Sequence, residues 1–152
     1  MSIWQNLLEK TGNPTKQYPG LVIDASVAVK WFSEEAGSIS AASLLTAISD
    51  NELEAFAPSV ILYEVGNALF KGKKYDQERI ARALGELLRS EVRFVDLNAD
   101  YLDFTVECMV KYKLTFYDAV YAGLARKLKV PLLTANPKDH NKIKEIKVLS
   151  LK

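Results

Sequence analysis

The sequence predicts an α/β protein: a three-layer αβα sandwich around a parallel sheet of about five strands, with a short helical appendage at the N-terminus. Two observations carry this expectation. From Gly20 onward, short apolar runs rich in β-branched residues alternate with longer stretches at helical spacing, the pattern of successive βα units. The chain has 152 residues, 49% of them hydrophobic and 26% charged, which is the size and balance of one domain with a real core. Right-handed connections then put helices on both faces of the sheet.

The elements follow in order. Residues 1–20 hold a short amphipathic piece, with Ile3, Trp4, Leu7 and Leu8 on one side, and then the turn-rich linker TGNPTKQYPG. This appendage either packs on its own core or meets a partner. The domain proper is expected over residues 21–152. Leu21, Val22 and Ile23 form the first strand, which delivers Asp24 at its C-terminal edge. SVAVKWFSEE starts a helix, and Ile39, Ala42, Leu45, Ala47 and Ile48 supply the buried side of a second. EAFAP is the next strand, ended by Pro58; Ser59 is the expected N-cap of VILYEVGNALFKG, which stops at Gly72. Ile80, Ala83, Leu84, Leu87 and Leu88 mark an amphipathic helix over residues 75–91. VRFVDL is a strand. Asn98 and Thr115 cap two further helices, PLLTA is a strand, PKDHNKIKEI a short helix and KVLSL the last strand.

Composition narrows the chemistry. Cys108 is the only cysteine and His140 the only histidine, which excludes disulfides, Cys/His zinc sites and histidine-based triads. Lysines and arginines number 20 against 19 acids, for a net charge of +1, so a polyanion-coating protein is excluded and any nucleic-acid surface must be local. Glu9 and Lys10 close behind Leu7 and Leu8 argue against a secretory signal or membrane span, and the cytoplasm is the expected compartment.

Acids at element ends are the candidate functional groups. Asp24 can cap the helix that follows it or meet a ligand at the strand end. Glu64 lies in an apolar run, with Val60, Ile61 and Ala68 on its side of the helix and Asn67 its one polar neighbour. Buried charges need partners, so Glu64 either binds something or reaches solvent at the helix edge. Asp118 stands in the first turn after Thr115, where a capping box and a carboxylate kept ionised by the helix dipole are compatible readings. Thr134 and Asn136 fall at another strand end. Asn136 is placed to cap the next helix, and Asp139 to reach back to the same edge.

Four motifs stand in order: IDASVAVKW around Asp24, P-x5-E-V-x-N-A-L from Pro58 to Leu69, YDAVYAGLA around Asp118, and LLTAN around Thr134 and Asn136. Their order and spacing resemble a PIN domain, and within that superfamily a VapC-type toxin ribonuclease. The resemblance covers residues 21–152. It implies a divalent-metal ribonuclease whose catalytic and metal-holding core is Asp24, Glu64 and Asp118. Ser26 matches the small polar residue supporting the first acid, Thr134 the hydroxyl near the late strand, and Asn67 accompanies Glu64. Asn136 stands where the family often has a fourth acid, with Asp139 three residues on. A small antitoxin chain and a homodimer are also implied.

Elementary electrostatics agrees with that reading. Two carboxylates about 4 Å apart at an effective dielectric near 20 repel by roughly 4 kcal/mol, so three together call for a cation. Oxygen donors select a hard one, Mg²⁺ or Mn²⁺, able to activate a water against an RNA phosphodiester. RNA also needs positive charge. Lys30, Lys73 and Lys74 are the candidate contacts; Lys71, and the group Lys111, Lys113, Arg126, Lys127 and Lys129, are further basic runs that serve equally as solvated faces. Two rival readings remain. One is a non-catalytic PIN-like module binding RNA or protein, which Asn136 favours. The other is a haloacid-dehalogenase-like phosphatase with Asp24 as nucleophile, disfavoured because Ser26 stands where a second Asp is usual.

Overall fold

Leu21, Val22 and Ile23 carry apolar side chains to both faces of the sheet, as a strand covered on both sides requires. In the structure, a computed structural model that describes residues 20–151, they bury completely in β1 (Gly20–Ile23). β1 is the middle strand of five, flanked by β2 (Glu54–Pro58) and β3 (Arg93–Val95) on one side and β4 (Leu132–Thr134) and β5 (Val148–Ser150) on the other. Every pairing is parallel. Gly20 is required at the first pair, because a Cβ there would lie 2.4 Å from the Glu54 carbonyl oxygen. The chain builds outward from β1 through β2 and β3, then returns to add β4 and β5. The order therefore reverses between β1 and β4, where ligands of open α/β sheets bind beyond the strand ends.

Among the described residues six helices flank the sheet: α1 (Ala25–Ala28), extended by one 3₁₀ turn over Val29–Trp31; α2 (Ser38–Ser49); α3 (Ile61–Asn67), which loosens into a π turn over Ala68–Gly72; α4 (Gln77–Arg89); α5 (Ala99–Tyr112); and α6 (Phe116–Leu128). Asp76, Asn98 and Thr115 cap α4, α5 and α6 by accepting the N–H groups of Arg79, Asp100 and Asp118. α6 is buried from Ala119 to Ala125, lies against β1, β2 and β4, and is covered by α5. No helix among the described residues is long and apolar enough to cross a membrane. The expected N-terminal helix and linker lie outside the described residues, apart from Gly20.

Several expectations change. α2 buries Ala41, Leu44, Ala47 and Ile48, so of its expected buried side Ile39 and Ala42 are exposed and Leu45 only half-buried, and Leu88 of α4 is exposed as well. Ser59 does not cap α3: Val60 occupies that place, and the Ser59 hydroxyl hydrogen-bonds the Asp96 carboxylate beyond β3. Nor is PKDHNKIKEI a helix. It forms turns, with one helix-like bond from Asn141 N–H to Pro137 O at 2.8 Å. A single turn gains too little to repay nucleation. Its apolar residues instead anchor the segment individually, Ile143 burying in a small core with Cys108, Leu114, Ala119 and Ala122.

Gly123 permits the close approach of α5 and α6. A Cβ there would sit 2.0 Å from Thr105 Oγ1 and 3.2 Å from Thr105 Cβ, and the Thr105 hydroxyl is itself committed to Tyr101 O at 2.7 Å. Gly123→Ala should therefore destabilise the fold by about 1–3 kcal/mol despite alanine's better helix propensity. Thr105→Ala should cost less in the Gly123→Ala background than alone, which urea unfolding of the four variants in the cycle measures.

Candidate active site

The first acid is placed by the strand that precedes it. Asp24 follows β1, donates its N–H to Leu133 O at 3.2 Å across to β4, and accepts the Val27 N–H as N-cap of α1. Cap and site position therefore coexist in one residue. The Ser26 hydroxyl hydrogen-bonds the Asp24 carboxylate, accepts the Ala135 N–H at 2.9 Å, and lies 3.3 Å from Thr134 Oγ1. Thr134 is completely buried and accepts the Asn136 N–H at 3.1 Å. The ends of β1 and β4 are thus laced together by two hydroxyls.

Glu64 arrives from the middle of α3, where it is half-buried, and its Oε1 accepts the Tyr121 hydroxyl at 3.2 Å. Asp118 arrives in the first turn of α6. Thr115 Oγ1 accepts the Asp118 N–H at 3.1 Å and donates to Asp118 Oδ2 at 3.0 Å, a local variant of the capping box. Asp24, Ser26, Glu64, Asp118, Asn136 and Asp139 line one cleft of about 130 Å³. Ser26, Glu64 and Asn136 also wall an adjoining groove of about 360 Å³, together with Lys30 and Glu35.

Burial and like charge act on these acids together. Burial pushes the Glu64 carboxyl up, and the negative Asp118 and Asp24 add to it against the Tyr121 hydrogen bond, so it stands at about 7. Burial also raises Asp24, partly offset by the Ser26 and Thr134 hydroxyls. Tyr121 is held far above the ordinary tyrosine range by burial and by Glu64, which keeps its hydroxyl a neutral donor.

The other candidates stand elsewhere. Asn67 is exposed and does not line the acid cleft. Lys30 and Lys73 both bind Glu35, and Lys30 also donates to Ala36 O at 2.6 Å. Lys74 is exposed in a left-handed turn at φ 56°. Lys111 pairs with Glu145 at 2.6 Å.

Two lining residues escape the sequence reading, Tyr121 and His140. Tyr121 was signalled by its position one turn after Asp118 on the same helix face. His140 is 4% exposed, with Nε2 3.3 Å from Asp118 O and Nδ1 buried without a hydrogen-bond partner. It pins the loop after β4 to the start of α6. Its adjacency to Asp139 was the available sign.

Oxygen donors dominate the cleft, a set that suits a hard divalent cation. Among the described residues no three acid, histidine or cysteine side chains are already drawn together at ligating distance. Each of Asp24, Glu64 and Asp118 is instead hydrogen-bonded to a hydroxyl.

The family model described as the PIN domain matches residues 21–146, from β1 to the loop before β5, and so includes every acid of the cleft. The chain belongs to the PIN domain family. Solved structures agree on the fold of this PIN domain. It is similar to VapBC2 from Rickettsia felis bound to a DNA fragment from its promoter, at TM-score 0.70 and 17% identity over 87% of this chain and 98% of that one. VapC20 of Mycobacterium tuberculosis, a sarcin-ricin loop cleaving toxin, matches at TM-score 0.66 and 16% identity over 84% and 99%. A toxin–antitoxin complex from Klebsiella pneumoniae matches at TM-score 0.62 and 20% identity over 88% and 98%. A search of curated protein sequences finds no significant match.

The raised acids give this PIN domain a pH signature. A carboxyl whose folded pKa exceeds its unfolded one holds its proton longer when folded, so stability falls as pH rises between the two values. Glu35 and Glu145 are lowered by their lysine and tyrosine partners, so their contribution is lost only below the ordinary carboxylate range. In chelator, stability should drop by roughly 1–2 kcal/mol, after allowing for solvent screening, between about pH 4.5 and about pH 7. Glu64→Gln should flatten that slope in urea titrations at the two ends of the range.

Proposed function

We propose that this PIN domain is a divalent-metal-dependent ribonuclease, cleaving RNA phosphodiester bonds with metal-activated water, and that it is the toxin of a toxin–antitoxin pair in the cytoplasm. One observation carries the reading: acids from the end of β1, the middle of α3 and the first turn of α6 line a single cleft at the C-terminal edge of the sheet. Asp24, Glu64 and Asp118 would hold Mg²⁺ or Mn²⁺. When bound, the ion supplies a water of lowered pKa and offsets charge on the leaving oxygen.

The chain's own residues do the rest. Ser26 and Thr134 orient the Asp24 carboxylate from beneath. Glu64 is fixed by the Tyr121 hydroxyl, and a cation held beside it would offset the burial and like charge that oppose its ionisation. Asn136 offers an amide and no charge, which leaves Asp139 as the acid for any second ion. Lys30, on the groove beside the acids, is placed for a substrate phosphate once it leaves Glu35. Lys73 shares that carboxylate, and Lys74 follows it on the exposed turn.

The similarity to toxin–antitoxin complexes supports a small antitoxin chain as partner, wrapping the toxin and covering the acids with its own side chains; a homodimeric toxin is part of the proposal on the family resemblance alone. A second reading, a non-catalytic PIN module that binds RNA or protein, draws on Asn136 in place of a fourth acid.

Metal binding separates the two. Mn²⁺ at a hundredfold excess over Kd should stabilise the protein by about 2.7 kcal/mol in thermal unfolding. A metal-insensitive melt selects the binding module. Asp24→Asn, Glu64→Gln and Asp118→Asn should each lower Mn²⁺-dependent cleavage of single-stranded RNA by about a hundredfold or more with the fold retained. Retained cleavage in any two of the three refutes the assignment. Asn136→Asp should keep or raise Mn²⁺ affinity by calorimetry, and weaker binding would remove that residue from the site.

A further inference from the structure

We infer that the RNA chain continues from the acid cleft into a second, larger cleft, where Tyr75 and Arg79 form a stacking site for a nucleotide beyond the scissile phosphate. The inference rests on the ribonuclease reading. This second cleft measures about 630 Å³ and is walled by Trp31 and Phe32 at the end of α1 and by Tyr75, Arg79 and Arg82 at the start of α4.

The larger cleft shares no lining residue with the groove beside the acids but adjoins it, because Lys30 and Glu35 line the groove while their chain neighbours Trp31 and Glu34 line the larger cleft. Ser26, Glu64 and Asn136 belong to both the acid cleft and the 360 Å³ groove, Glu35 belongs to that groove, and Glu35 binds Lys73 on the rim of the larger cleft. A strand leaving the acids therefore passes Lys30, then Lys73, before it reaches Tyr75. These cations recur along the path at which successive phosphates would run.

The aromatic floor is built before any ligand arrives. The Tyr75 hydroxyl donates to Phe32 O at 2.8 Å and its N–H to Leu69 O at 3.0 Å, which fixes the ring at the end of the π turn. The Arg79 guanidinium sits 3.6 Å from the centre of that ring. Trp31 is fixed likewise, its Nε1 donating to Ala41 O at 2.8 Å. A planar cation held on a rigid ring offers one face for a base and free N–H groups for a phosphate, the combination that binds single strands without reading sequence. Of the cations lining this cleft, Lys73 is paired with Glu35 and Arg82 with Glu78 at 2.7 Å, so Arg79 on the Tyr75 ring is the one that carries the phosphate contact.

Fluorescence anisotropy tests this with oligouridylates from two nucleotides upward, using the cleavage-silent Asp118→Asn chain in Mg²⁺. Affinity should rise with length until the RNA spans both clefts. Adding Arg79→Ala should weaken the longer oligomers about tenfold, leave the dinucleotide unchanged, and lower the salt slope by about 0.7. Arg79→Lys should keep the salt slope while losing most of the stacking gain. A mere packing role would weaken short and long RNA alike, and that result, or unchanged binding of long RNA by Arg79→Ala, overturns the inference while the ribonuclease reading stands. If the parent chain binds RNA of no length, both fall.

Discussion

Three carboxylates from separate elements share one cleft against their mutual repulsion, and each is steadied by a hydroxyl. Ser26 holds Asp24, Tyr121 holds Glu64, and Thr115 holds Asp118. The strain surfaces mainly in Glu64, whose carboxyl stands near 7 because burial and two neighbouring acids oppose its ionisation. A protein selected for stability alone would replace such a group with an apolar one. A half-buried acid with a raised carboxyl in a cleft is the kind of group on which the proposed function draws.

The rest of the architecture delivers those groups to one place. β1 is central, so the residue after it meets the end of β4 directly, and the hydroxyls of Ser26 and Thr134 join the two edges. α3 crosses beside α1 and brings Glu64 over the strand ends. The start of α6 is fixed from two sides. Gly123 lets α5 lie close along it, and His140 ties its first turn to the loop after β4.

Much of this was legible in the sequence because it depends on local rules. Apolar β-branched runs located the strands, and Asp24, Asn98 and Thr115 announced helix starts by capping chemistry that does not depend on the fold. Glu64 stood out because a charge in an apolar helix violates the ordinary pattern. What remained hidden was tertiary. The Ser59 hydroxyl turned to Asp96, a partner 37 residues away that no local rule supplies. The segment after Pro137 had helix-forming residues but gained more by burying Ile143 against Cys108 than by continuing a turn. α5 and α6 end on Lys113 and Lys129 in left-handed conformation, where glycine would have signalled the stop. Lys30 and Lys73, candidate phosphate contacts by sequence, share the Glu35 carboxylate. Tyr121 and His140 acquire meaning only once α6 and the β4 loop are folded around the acids.

The account stands on the claim that these acids form one cation site. Anomalous scattering from a crystal grown with Mn²⁺ tests it most directly. The account predicts a peak about 2.0–2.2 Å from carboxylate oxygens of Asp24 and Asp118, with Glu64 in contact directly or through one water. A fully occupied Mn²⁺ bound elsewhere on the chain, with the three carboxylates still on Ser26, Tyr121 and Thr115, would contradict it.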